Sequence, residues 1–494
     1  MHLTASDLYP YFRPSECRLR VHLKARNEPE DEASPYEAVI LRLGERHEAA
    51  HIASLGAVVD LRGGTLAERA EATRRALQGP APSILYHAVL TRVTDIAGQA
   101  CDIFGEPDVI LMEPGSVVIR DCKMAKRVND DDHPEILRQV ELYGWLFQGT
   151  TGAAPTRLEV FRGDGTIVDI PYDGGSAAIG ALTRVVQARL LTEEPYEPVG
   201  WTRCGDCRFN TRCWTRAKER RDVALVVDVD RALAVTLHES GSTSMDELLA
   251  NFDEATLSTL KRPWGSKMQK VGGRATTILR NAKSLATRSE VLLQPPAVPQ
   301  SAKYVMFDCE GLPPQLDELD KVYLWGLQVF GEIEGPYHGV TGGFGLDGDR
   351  QAWDAFLVRA TQILDEYGDI PFIHWAPYER VKIDGYLKRF GADGRADRIK
   401  ANLVDLFPIT RQSVVLPLSS YSLKVVEQYV GYKRQLKEYG GDWAMAKYVE
   451  AVELQDEAQR AAIMDEILAY NREDLEATWA VLQWLRQIAA SANT

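Results

Sequence analysis

The sequence predicts a multidomain α/β chain, and three observations lead there. The chain has 494 residues, more than one hydrophobic core usually serves, so two or three domains are expected. Apolar residues make up 45% and charged residues 26%, ordinary values that exclude fibrous, collagenous and largely disordered classes. Leu293-Gln294-Pro295-Pro296-Ala297-Val298-Pro299-Gln300 places three prolines in five positions, which neither a helix nor a central strand tolerates. The expected division is therefore 1–221, mixed α/β and ending in a cysteine cluster; 222–291, all-helical with small polar turns; 292–300, a linker; and 301–494, a second α/β block. No apolar run approaches the roughly 18 residues of a membrane span. Met1-His2-Leu3-Thr4-Ala5-Ser6-Asp7 carries no secretory pattern, so a cytoplasmic protein with no membrane partner is expected.

The first chemical pattern lies between Pro107 and Lys123. Two β-rich runs flank Glu113-Pro114-Gly115-Ser116, which is turn chemistry, and together they predict a hairpin. Asp108 opens one strand and Asp121 closes the other, so the two carboxylates meet at one end. Such a pair can share Mg²⁺ or Mn²⁺, which prefer oxygen ligands. Lys123, two residues beyond Asp121, points to the same face and can stabilise charge on a phosphate. Further on, Gln139 and Tyr143 stand four apart on a predicted helix and share a face. Upstream, Gly44-Glu45-Arg46-His47-Glu48 lies in a helical pattern.

The order His, Pro-Asp, Asp-x-Lys, Gln-x-x-x-Tyr resembles the RecB-like branch of the PD-(D/E)xK nucleases. The resemblance implies a restriction-endonuclease-like core. It makes His47, Asp108 and Asp121 metal ligands and gives catalytic roles to Lys123, Gln139 and Tyr143.

Cys204-Gly205-Asp206-Cys207-Arg208-Phe209-Asn210-Thr211-Arg212-Cys213 reads C-x2-C-x5-C, a metal-binding loop that lacks a fourth local ligand. Cys17 is a lone cysteine near the N-terminus. Spacing alone leaves zinc and an iron–sulfur cluster both open. One early cysteine plus three after the core resembles the iron–sulfur staple of RecB-like nucleases, which implies a 4Fe–4S cluster on Cys17, Cys204, Cys207 and Cys213. Cys101, Cys122 and Cys309 read as ordinary buried thiols.

The net charge is −14, which argues against nucleic-acid binding by bulk charge. Locally the sign reverses. Lys261 to Arg288 holds eight Lys/Arg and no acidic residue. Val271-Gly272-Gly273-Arg274 feeds a predicted helix N-terminus, and such a turn can present amides to phosphate. The segment resembles helix–hairpin–helix modules, which implies DNA-backbone contacts from Lys261, Arg262, Lys267, Lys270, Arg274 and Arg280.

The C-terminal block opens on an apolar strand that ends in Asp308-Cys309-Glu310. Both carboxylates project from one face, as two-metal phosphodiester hydrolysis requires. A second apolar run, Val322 to Phe330, would pair with that strand. Tyr470 and Asp474 share a helix face. In this order the residues resemble the DEDD 3′–5′ exonucleases of the RNase H-like fold. The resemblance makes Asp308, Glu310 and Asp474 metal ligands and Tyr470 the residue that aligns the attacking water. Its second motif falls on Tyr378-Glu379, where the family usually has aspartate, so Glu379 takes that place with Asp384 as the alternative.

The expected activity is thus a Mg²⁺- or Mn²⁺-dependent DNA nuclease with two centres, acting on single strands or ends in repair, recombination or defence. No ATP-binding Gly-x-x-x-x-Gly-Lys-Ser/Thr loop occurs, so any helicase partner would be a separate protein. The rival expectations are a DNA-end-binding scaffold with inactive nuclease folds, and an RNA-processing exonuclease.

Overall fold

The computed structural model describes residues 1–313, 316, 319–436 and 440–492. The chain divides into two compact units. One is Met1–Ala33 with Glu37–Cys213; the other is Ser34–Tyr36 with Trp214–Thr494. Among the described residues no helix is long and apolar enough to cross a membrane.

The first unit is built on nine strands. β1 is His2–Thr4, β2 Val59–Asp60, β3 Ser83–Tyr86, β4 Leu90–Ile96 and β5 Gln99–Gly105. β6 is Val109–Glu113, β7 Ser116–Lys123, β8 Arg157–Arg162 and β9 Ile167–Ile170. They form a six-stranded sheet in the order β2-β3-β6-β7-β8-β9 and a three-stranded sheet β1-β5-β4. β6 and β7 are the predicted hairpin, antiparallel with Val109 opposite Arg120, and Gly115 supplies the positive φ of the turn. β8 then runs parallel to β7, as a helical crossover permits. That crossover is the helix Pro134–Thr151, which starts on a proline and ends on a left-handed Gly152. Its Val140, Leu142, Leu146 and Phe147 lie in the main core with Ile110, Ile119 and Leu158 from the sheet. Full burial of one such side chain contributes about 1.5–3 kcal/mol. This packing fixes the rotation of the helix and hence where Gln139 and Tyr143 point.

In the second unit, after the end of the helix Asn210–Arg220, come helices Arg231–Glu239, Met245–Asn251 and Glu254–Thr259, capped by Asp230, Ser244 and Asp253. The expectation that 222–291 is all-helical fails next. β10 (Lys261–Trp264) and β11 (Lys267–Lys270) form an antiparallel hairpin before the helix Arg274–Thr287. The reason is local: Pro263 removes a helical donor, and Gly265 turns the chain at φ +57°. The proline-rich segment is tied to the C-terminal fold. β12 (Val291–Leu292) pairs with Val414–Val415, Leu293 donates to Ser413 O at 2.8 Å, and Val298 is buried in the core.

The remaining strands are β13 (Lys303–Leu312), β14 (Lys321–Gly331), β15 (His338–Thr341), β16 (Phe372–His374), β17 (Leu403–Asp405) and β18 (Val414–Val415). β13 to β17 make a five-stranded sheet in the order β15-β14-β13-β16-β17. β13 and β14 are the expected apolar pair, antiparallel, with a bulge between Glu310 and Gly311. β16 lies parallel on the other side of β13. Phe307, Trp325, Phe356 and Phe372 pack as an aromatic core against one face. Leu475, Val481, Leu482 and Leu485 of the helix Glu457–Ser491 join a second core that includes Tyr304, Met306 and Ile373.

Candidate functional sites

In the N-terminal unit the hairpin sets Asp108 beside the end of β7, where the charge of Asp121 bears on it. Asp108, directly before β6, accepts from the Cys122 N–H at 2.6 Å. Lys123 Nζ lies 2.8 Å from Asp121 Oδ2. Gln139 Nε2 donates to Tyr143 Oη at 2.7 Å. Burial, followed by the charge of Asp121, pushes the Asp108 carboxyl well above the usual range. Burial works against the charged form of Lys123, yet Asp121, Tyr9 and Asp108 outweigh it and hold the ammonium well above its ordinary value. Tyr143 is likewise pushed up by burial and then by Asp121.

The histidine expectation is corrected here. Ligand atoms of Glu48, His87 and Asp108 all lie within 4.8 Å of one another; His47 and Asp121 are both outside that group, Asp121 being paired with Lys123. His47 stacks on Phe161, with centroids 4.6 Å apart and planes 8° apart, and His51 stacks on the same ring. Neighbouring helical residues are about 100° apart. The helix Pro35–Leu55 therefore turns His47 and His51 to Phe161 and Glu48 to the carboxylates. Glu48 Oε1 sits 3.0 Å from His87 Nε2 and accepts from Tyr86 Oη at 2.8 Å. Glu48 was adjacent to the residue the sequence singled out. His87 carried no sequence signal; its left-handed backbone, φ +53°, turns it beside Asp108, whose carbonyl accepts its N–H at 3.0 Å.

The four thiols Cys17, Cys204, Cys207 and Cys213 line one cavity with Arg20, Glu197 and Phe209. Burial raises every one of these thiols. The Arg20 N–H donates to Cys17 Sγ at 3.4 Å, while Arg20 Nε and Nη1 are buried without a hydrogen-bond partner. A buried cation with unmet donors beside four convergent thiols fits an anionic sulfur-ligated metal group.

The second carboxylate cluster sits in the C-terminal domain. Asp308 and Glu310, two apart on β13, share a face. Oxygens of Asp308, Glu310 and Asp474 lie within 4.8 Å of one another. They border an open cleft of about 650 Å³ that Tyr378, Lys424 and Tyr470 also line. Asn471 Nδ2 donates to Asp308 Oδ2 at 2.6 Å, and Asn471 Oδ1 accepts from Tyr337 Oη at 2.9 Å. Arg434 pairs with Asp474 and, at 2.7 and 2.8 Å, with Glu427. Burial and then the neighbouring Glu310 charge push Asp308 well up. Burial and then Asp474 push Glu310 up to about 8. Three carboxylates this close cannot all ionise unaided, and an all-oxygen donor set of this kind fits Mg²⁺ or Mn²⁺. Glu379 is buried and 3.1 Å from His374 Nδ1. Its charge still bears on both Asp308 and Glu310. The alternative Asp384 pairs instead with Lys400 at 2.5 Å. Asp405 caps the next helix and accepts from the Ala376 N–H at 2.8 Å. Asn471 lay inside the segment read for Tyr470 and Asp474, whereas Arg434 and His374 carried no signal of their own.

Of the basic residues, Lys261, Lys267, Lys270, Arg274 and Arg280 are exposed. Arg262 is corrected: it is 1% exposed and pairs with Asp230 at 2.8 Å, so it anchors the hairpin and is closed to a ligand.

Comparison with known proteins bears on the second unit. The family model RNase_H_2, of the RNase_H superfamily, matches residues 305–486. The C-terminal domain is therefore RNase H-like, and a domain of that class points to nuclease activity in general. A solved chain described as "Crystal structure of SSO0001" is 14% identical; the match covers 43% of this chain and 85% of that one. Its TM-score is 0.22, too low to bear on the fold. No curated protein matches this chain.

Proposed function

We propose that the protein is a divalent-metal-dependent DNA exonuclease whose principal centre is the Asp308–Glu310–Asp474 cluster. The observation that carries this reading is the convergence of these three carboxylates at a cleft of an RNase H-like domain. Asp308, Glu310 and Asp474 would hold Mg²⁺ or Mn²⁺. Bound there, the cations supply Lewis-acid stabilisation of the charge that develops on phosphate. Asn471 holds Asp308 in place through its amide, and Tyr470, one helical turn before Asp474, aligns the attacking water. Lys424, on the cleft wall, offers a cation to the scissile phosphate. Glu379 adds to the negative field, oriented by His374.

The N-terminal hairpin is proposed as a second, PD-(D/E)xK-type centre. Asp108, Asp121, Glu48 and His87 would provide its ligands, Lys123 would stabilise the phosphate charge, and Gln139 with Tyr143 would orient the site. Cys17, Cys204, Cys207 and Cys213 are proposed to hold a 4Fe–4S cluster. Visible charge-transfer absorbance from anaerobically purified protein supports it; a colourless protein carrying stoichiometric zinc overturns it.

The deciding experiment is cleavage of 5′- or 3′-labelled DNA in Mg²⁺ and in Mn²⁺. Asp308→Asn is expected to remove the exonucleolytic ladder, by about 100-fold or more. Asp121→Asn is expected to remove a different product set. Retention of every product in Asp308→Asn overturns the assignment of the principal centre. A second reading, a DNA-end-binding scaffold, draws on Glu379 being held by His374. It takes first place if wild type leaves every DNA substrate intact. Degradation of RNA alone overturns the DNA assignment.

A further inference from the structure

The β10–β11 hairpin carries a surface that neither carboxylate centre uses. Its register puts Arg262 opposite Gln269 and Trp264 opposite Lys267; Lys261 faces Lys270 and Pro263 faces Met268. Cross-strand partners share a face, so the two faces differ. On one, Arg262 is locked to Asp230 and its guanidinium stacks on the Trp264 ring at 4.5 Å. The other exposes Lys261, Pro263, Met268 and Lys270. Trp264 is 59% exposed and Met268 60%. No ion pair among the described residues holds Lys261, Lys267 or Lys270.

We propose that this hairpin is a stacking platform for single-stranded DNA, which rests on the nuclease reading for its choice of DNA. Arg262 supports one face of the indole and fixes its orientation, and the exposure of the ring leaves area for a base. Base stacking on an aromatic ring tolerates any sequence, as a degradative enzyme requires. Lys267, which shares the face of Trp264, supplies backbone charge beside the indole, in a stretch with no acidic residue from 261 to 288. An acidic peptide would use the lysines and leave the indole idle. A duplex hides the base faces that the indole would take. The combination selects an unstacked, negatively charged strand.

The test is fluorescence anisotropy of a labelled single-stranded oligonucleotide with the full chain, in EDTA so that no hydrolysis occurs. Trp264→Ala is expected to weaken binding about tenfold, and Trp264→Phe to stay within about threefold of wild type. Lys267→Gln is expected to lower the slope of log affinity against log salt by about 0.7. Unchanged affinity in Trp264→Ala overturns the proposal. So does tighter binding of duplex than of single strand, or displacement by polyglutamate as effective as by oligonucleotide. Because the readout is binding, the two readings separate. A wild type that binds but never cleaves leaves the platform standing and sinks the nuclease reading. Cleavage with unaltered Trp264→Ala binding does the reverse.

Discussion

Glu48 and His47 are neighbours in sequence and face different surroundings in the fold. Glu48 reaches His87 and Asp108, whereas His47 lies flat on Phe161. The expected outcome is that Glu48→Gln weakens Mn²⁺ binding to the N-terminal unit about tenfold or more, and His47→Gln leaves it within about twofold. Calorimetric titration of the Asp308→Asn protein isolates that site. Equal effects of the two substitutions would refute the assignment. Asp108, Asp121 and Lys123 were legible in the sequence because a strand's period is two and a turn fixes the register. The helical neighbour was not, because one residue of helical phase depends on which face the sheet covers. His87 was beyond reach, since only the fold sets a loop histidine beside Asp108.

Strand β14 meets the helix Glu457–Ser491 at Gly326, opposite Asp308. A Cβ there would lie 1.8 Å from Asn471 Oδ1 and 2.8 Å from its Cγ. Gly326→Ala must push the amide off Asp308 or part strand from helix. The expected result is about tenfold or greater loss of exonuclease rate, with about 1–3 kcal/mol of destabilisation in chemical unfolding. Wild-type rate with lowered stability would show that Asn471 does not position Asp308. The paired strands β13 and β14 could be read from apolar runs, because a strand covered on both faces is apolar throughout. The β10–β11 hairpin could not, since a lysine- and arginine-rich run suits either state. Pro263 was the signal to weigh, as it bars the helix that the flanking residues favour.

Across the whole molecule, both centres hold carboxyls whose protonated form is favoured by burial and by neighbouring like charge. Asp108 and Asp308 are pushed well up, and Glu310 to about 8. A group raised in the folded state binds protons that the unfolded chain has released. Its contribution to stability is full below the unfolded value and fades as pH rises through the folded one, here toward about 8 for Glu310. A divalent cation replaces those protons. Mn²⁺ is therefore expected to raise the melting temperature more at about pH 8.5 than at about pH 6. An equal rise at both values would show that the cation binds elsewhere, and Asp308→Asn is expected to shrink the difference. The α/β, multidomain character was legible from length and apolar pattern. The docking of the proline segment was not, because Leu293 finds its acceptor at Ser413, far along the chain.

The cysteine cavity also sets an order of events. Cys17 leaves the ribosome early, whereas Cys204, Cys207 and Cys213 emerge only as the N-terminal unit is completed. The four thiols can meet as soon as that unit is out, while β13 and everything after it is still being translated. Loading of the proposed cluster at this cavity can thus begin co-translationally. If the thiols hold the proposed cluster, a cell starved of it would meet the consequence in the nascent chain, before the RNase H-like domain exists.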